Sequence, residues 1–130
     1  NGLARVEIDG RYGYIDKTGK YIINPQFDYA LDFADNGFAR VVMGDKTGYI
    51  DKTGTYVINP QFDWAGDFTD NGLARVELND KWGYIDKTGK YVINPQFDMA
   101  YDFAENDLSD DEICEVGKRL YMYLYNFMYI

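Results

Sequence analysis

Asn-Gly recurs at Asn1-Gly2, Asn36-Gly37 and Asn71-Gly72, and the 35 residues that start at each pair align without a gap, 22 of the 35 positions being identical in all three copies. A chain built this way has to bury the same apolar positions three times, so it folds as a tandem array in which neighbouring copies supply each other's packing. The copies span 1–35, 36–70 and 71–105, which leaves 106–130 as a segment of different character.

Inside a copy the apolar period is two, the signature of a strand with one face buried. Ala4, Val6 and Ile8 alternate with Arg5 and Glu7, and the same alternation returns at Ala39, Val41 and Met43 and at Ala74, Val76 and Leu78. Asp9-Gly10, Gly44-Asp45 and Asn79-Asp80 then supply residues that tolerate the positive φ of a tight hairpin. A second strand, Tyr12 to Asp16, ends in Lys17-Thr18-Gly19, and a third, Tyr21 to Asn24, is expected to stop at Pro25, which has no amide proton for a ladder. The connector from Gln26 to Phe33 has Phe27, Ala30 and Phe33 at spacing three, which predicts one short helical turn.

The expected fold is all-β: a short, open, solenoid-like array of three antiparallel three-stranded meanders, nine strands in all. A closed threefold barrel resembling a β-trefoil is the alternative, because three copies suit it. At Asn106-Asp107 a fourth copy starts and breaks off. Ser109-Asp110-Asp111-Glu112 reads as a capping box, and Ile113, Val116, Leu120, Leu124 and Phe127 follow at spacings of three and four. The pattern predicts a helix over 106–130 that caps the last copy, with Leu120 to Ile130 as a surface for self-association and too short to span a bilayer.

Composition narrows the chemistry. With no His and with Ser109 and Cys114 each the only residue of its type, no Ser-His-Asp or Cys-His catalytic set can be assembled, and no His-based metal centre. A net charge of -9 opposes binding to phosphate backbones, so nucleic acid is not expected as a partner. Arg5, Arg40 and Arg75 recur with two carboxylates each, Asp28 and Asp32, Asp63 and Asp67, Asp98 and Asp102, which reads as one structural Arg pairing with both. Asp16, Asp51 and Asp86 open the Lys-Thr-Gly turns, where a side-chain turn bond accounts for them. A carboxylate pair could hydrolyse a glycoside, but a pair repeated three times lacks the asymmetric environment that tunes an acid against a base. Catalytic residues, metal sites and cofactors are therefore not expected.

The segment Lys81-Trp82-Gly83-Tyr84-Ile85-Asp86-Lys87-Thr88-Gly89-Lys90-Tyr91-Val92-Ile93-Asn94-Pro95-Gln96-Phe97-Asp98 resembles the WG repeat family, bacterial tandem β repeats named for a Trp-Gly pair. The resemblance covers 1–105, with Tyr12-Gly13 and Thr47-Gly48 standing where the pair would be in the first two copies. It implies a β-rich scaffold without established catalysis, often part of a larger bacterial protein, and the chain is read as a soluble fragment or processed form.

Positions that differ between copies carry the remaining information. They gather at the first hairpin and at the connector: Tyr12, Thr47 and Trp82; Tyr29, Trp64 and Met99; Leu31, Gly66 and Tyr101. Freedom to vary implies exposure or looser packing, so Tyr12, Tyr29, Trp64, Trp82 and Tyr101 are the expected ligand-binding residues, the alternative being that they fill slightly different gaps between copies. The function expected from these features is a noncatalytic scaffold, a spacer or interaction module for a protein partner. Carbohydrate or cell-wall glycan binding through the same aromatics is the alternative.

Overall fold

The computed structural model describes residues 2–104. Each copy opens with a hairpin: β1 (Ala4–Ile8) and β2 (Arg11–Ile15) in the first, β5 (Ala39–Met43) and β6 (Lys46–Ile50) in the second, β9 (Ala74–Leu78) and β10 (Lys81–Ile85) in the third. The turns have two central residues, Asp9-Gly10, Gly44-Asp45 and Asn79-Asp80, all with positive φ, as the tight mirror-image hairpin turn requires. A second turn leads to the third strand of each copy, β3 (Tyr21–Phe27), β7 (Tyr56–Phe62) and β11 (Tyr91–Phe97). There Asp16 Oδ1 accepts bonds from Thr18 N at 2.8 Å, Thr18 Oγ1 at 2.6 Å and Lys20 N at 3.1 Å, the turn bonding expected of that carboxylate.

Two expectations are corrected in these strands. Pro25 does not end the third strand, which runs on to Phe27. The ladder absorbs the missing amide in a bulge: Tyr14 faces Ile23 while Tyr12 already faces Phe27, so Gly13 lies against the looped-out Asn24-Pro25 backbone. Nor does the connector form a helical turn. Tyr29-Ala30 is a two-residue strand, β4, paired with Val42 and Val41 of the following copy, and Trp64-Ala65 forms β8 against Glu77 and Val76 in the same way.

The described residues therefore carry eleven strands rather than nine, in three antiparallel sheets ordered β1-β2-β3, β4-β5-β6-β7 and β8-β9-β10-β11. Two of the sheets straddle a copy boundary. The array is open, and the closed trefoil-like barrel does not form, because the connectors of the first two copies pair forward to the next copy and β11 does not return to β1. The helix expected over 106–130 lies outside the described residues.

The core follows the same forward logic. Tyr14, Ile23, Phe27, Ala30 and Phe33 of the first copy pack with Ala39, Val41 and Ile50 of the second, and the set repeats as Tyr49, Ile58, Phe62, Ala65 and Phe68 with Ala74, Val76 and Ile85. Successive residues of one strand point to opposite faces. Tyr49 thus faces the third copy while its neighbour Ile50 faces the first, which buries β6 on both sides. The hydroxyl of Tyr49 donates to Gly66 O at 2.5 Å, and Tyr14 does the same to Leu31 O at 2.6 Å, so the large apolar rings enter the core with their polar ends satisfied. Burial pushes both phenols above their ordinary value.

Candidate binding face

Arginine rows frame the connectors. Arg5, Arg40 and Arg75 each send Nη1 to a carbonyl of the connector, Ala30, Ala65 and Ala100, at 2.9, 3.1 and 3.0 Å. Their Nε atoms lie 3.3, 3.0 and 3.2 Å from Asp32, Asp67 and Asp102. The second carboxylate of each copy has a different partner from the one the sequence implied: Asp28 pairs with Arg11, Asp63 with Lys46 and Asp98 with Lys81, all hairpin residues. Asp28 Oδ2 also accepts Gly44 N at 2.8 Å, and Asp63 Oδ2 accepts Asn79 N at 2.8 Å, so these two carboxylates stitch one hairpin to the next. The rows are occupied structural pairs, which argues against an anion track along the arginines. Among the described residues no group of His, Cys, Asp or Glu could hold a metal ion.

On this frame the variable aromatics interleave with the guanidinium groups. Tyr12 and Tyr29 meet edge to face with centroids 5.0 Å apart, and Trp64 and Trp82 meet at 5.2 Å. Arg5 lies 5.9 Å from the Tyr29 centroid, Arg40 5.8 Å from Trp64, and Arg75 5.0 Å from Trp64 and 5.5 Å from Trp82, within cation–π range. Of the five expected contact residues, Tyr29 is 41% exposed, Trp64 36% and Tyr101 70%. Tyr12 is partly covered by its stacking on Tyr29. Trp82 departs from the expectation of exposure: at 8% exposed it belongs to a core cluster with Tyr84 and Ala100. Its ring is packed beneath Trp64 rather than offered to solvent. Tyr101 lies apart, at the end of the third copy, beside Phe103 and Met99.

A residue that the aromatic pattern passes over shapes the face most. Residues paired directly across adjacent strands project from the same side of a sheet. In the third sheet the row Trp64, Glu77, Trp82, Phe97 carries an indole at its third place; in the second sheet the row is Tyr29, Val42, Thr47, Phe62. Thr47 leaves a groove of about 350 Å³ between Tyr29 and Trp64, bounded by Leu31, Val42, Arg40 and Asp45. The signal was present in the sequence as the non-aromatic exception at the naming position of the middle copy. Its meaning needed the register that sets Thr47 between two exposed rings.

No helix among the described residues is long and apolar enough to cross a membrane. No curated protein and no solved structure matches the chain significantly. The family model described as WG containing repeat matches residues 12–46, 48–82 and 82–109. Each window opens at or beside the aromatic-Gly position and the first ends in the next hairpin, so the family unit runs from one copy's second strand into the following copy. Each of the first two windows holds all of one core cluster but its last residue, Ile50 or Ile85, which lies just beyond. Three matches in tandem, on the glycine, tyrosine and connector positions that build these cores, place the chain in the WG containing repeat family.

Proposed function

We propose that the chain is a noncatalytic interaction module that presents its hairpins and its aromatic–arginine face to a protein partner, with the array acting as a rigid spacer between contact points. The observation that supports this most is that two of the positions free to differ between copies, Tyr29 and Trp64, are each more than a third exposed and flanked by arginines. Aromatic rings and Arg are the residues enriched at protein interfaces. Carbohydrate binding is less well supported, because a sugar ring asks for several hydrogen-bonding side chains, and the carboxylates of Asp63 and Asp67 are already engaged by Lys46, Asn79 and Arg40.

The last copy offers a second contact region. Phe97 and Phe103 are 41% and 40% exposed, whereas their counterparts Phe27 and Phe62, Phe33 and Phe68 are buried. Residues 106–130, with their amphipathic spacing, are the segment proposed to cover that face as a cap. In a pull-down with the immobilised chain, the partner retained by the wild type is expected to be lost from a Tyr29→Ala, Trp64→Ala variant that keeps its melting temperature. Equal retention by both would remove the aromatic face from the interaction.

A further inference from the structure

We infer that the groove of the middle copy is a receptor for an aromatic side chain donated by the partner, specifically a tyrosine in a peptide without acidic neighbours. The inference rests on the protein-partner reading and adds the chemistry of one contact. Its occupant is indicated by what the chain itself does elsewhere. In the first copy Tyr12 packs against Tyr29 of the same copy, and in the third Trp82 packs against Trp64 of the preceding copy. A ring at the corresponding place in the middle copy would meet both kinds of neighbour at once: Trp64 as its own connector ring and Tyr29 as the preceding one. Thr47 stands there instead, and the space between Tyr29 and Trp64 is open. Tyr29 and Trp64 each keep one ring partner, Tyr12 and Trp82, but the place between them that a ring of the middle copy would fill is vacant, and offset or edge-to-face stacking is the geometry a ring entering it would favour.

The polar atoms of the groove specify the rest. Thr47 lines it and is only 7% exposed, the one buried polar residue among those described, and its hydroxyl makes no hydrogen bond with any of them. Its oxygen is not sealed from solvent, so a ligand hydroxyl that enters the groove can bond it directly. The larger charged groups are engaged: Arg40 donates through Nη1 to Ala65 O and is ion-paired with Asp67, its buried Nε making no hydrogen bond, and Asp63 is held by Lys46 and Asn79. A ligand that is mostly flat and apolar with a single hydroxyl matches this inventory, and a tyrosine side chain is that ligand. At the rim Asp45 has no ion-pair partner among the described residues, and the chain's net charge is -9. The field therefore disfavours a phosphorylated tyrosine or an acidic flank and favours neutral or basic neighbours.

The test uses the full chain, isotopically labelled, with the Thr47 amide and the Trp64 indole N–H followed by NMR as N-acetyl-tyrosinamide, N-acetyl-phenylalaninamide, N-acetyl-leucinamide or methyl glucoside is added. Saturable shifts at both positions are expected with the tyrosine probe, weaker binding with the phenylalanine probe, and about tenfold weaker binding with the leucine probe. Thr47→Trp, which restores the missing ring within the chain, is expected to abolish the response with an unchanged or higher melting temperature. Trp64→Ala is expected to abolish the Thr47 shift without occupying the groove. Absence of saturation, tyrosine binding by Thr47→Trp equal to wild type, or shifts with methyl glucoside alone would overturn the inference. A lysate partner captured equally by wild type and Thr47→Trp would sink the groove and leave the interaction module intact. Tyrosine binding by a chain that retains no partner would do the reverse.

Discussion

Glycine is required beside the aromatic position for a reason that lies across the ladder. A Cβ at Gly48 would come within 2.6 Å of Ile58 O and of Pro60 N, because the bulged strand of its own copy presses backbone onto the Gly48 Cα. The obstacle is main chain, which cannot rotate away. Gly48→Ala is therefore expected to cost about 3 kcal/mol, the upper part of the overpacking range, read as a lowered urea midpoint with an unchanged slope. Gly10→Ala has open space around it and only an unfavourable φ of 79°, so a cost nearer 1 kcal/mol is expected. The sequence displayed both glycines equally plainly. It showed why Gly10 is there, since turn chemistry is local, and hid the reason for Gly48, since reading Pro60 as a strand end removes the very segment that crowds it. Trp82 is buried for a similarly non-local reason: variability between copies signals a changed neighbour as readily as a free surface.

At the scale of the element, the Lys-Thr-Gly turns were legible because their bonds close within five residues. Their carboxylates also set a pH response. Hydrogen bonds from the Thr18, Thr53 and Thr88 side chains, with backbone N–H bonds, hold Asp16, Asp51 and Asp86 below the ordinary value of 3.8. Lys46 and Lys81 do the same for Asp63 and Asp98. For a group whose folded-state pKa is depressed, the stabilisation is present above the unfolded value and is lost as pH falls through the folded one. The urea midpoint is accordingly expected to hold at neutral pH and to drop below about pH 4. A Thr18→Val, Thr53→Val, Thr88→Val variant should show a lower midpoint at neutral pH and a smaller further loss in acid; an identical acid slope in both proteins would exclude the turns as its source. The connector strands, by contrast, could not be read from local pattern. Two residues carry no period, and the hydrogen bonds that make Tyr29-Ala30 a strand go to Val42 and Val41 of another copy. The spacing of Phe27, Ala30 and Phe33 imitates a helical turn because all three enter one core along an extended path.

Across the whole molecule, stability resides at the boundaries between copies rather than within them. The cores close only when the second strand and connector of one copy meet the hairpin of the next, and β6 serves two cores through adjacent residues, Tyr49 and Ile50. Arrays of this kind behave approximately as coupled units with nearest-neighbour interface energies. Identical residues in different copies should then differ in worth. Ile50 and Ile85 are fully buried against the preceding copy, while Ile15, at the same place in the first copy, is only partly covered among the described residues. Ile50→Ala and Ile85→Ala are each expected to cost about 2–5 kcal/mol, with Ile15→Ala well below that range. Because Ile50 sits at the middle of the array, its loss should also uncouple the first copy from the other two, so the ratio of hydrogen exchange rates at the Val6 and Val76 amides should rise above its wild-type value. Ile85→Ala should leave the first two copies protected together. Equal costs at all three positions, with exchange rising uniformly along the chain, would mean instead that the three copies melt as one undivided unit and that the boundaries carry no special share of the stability.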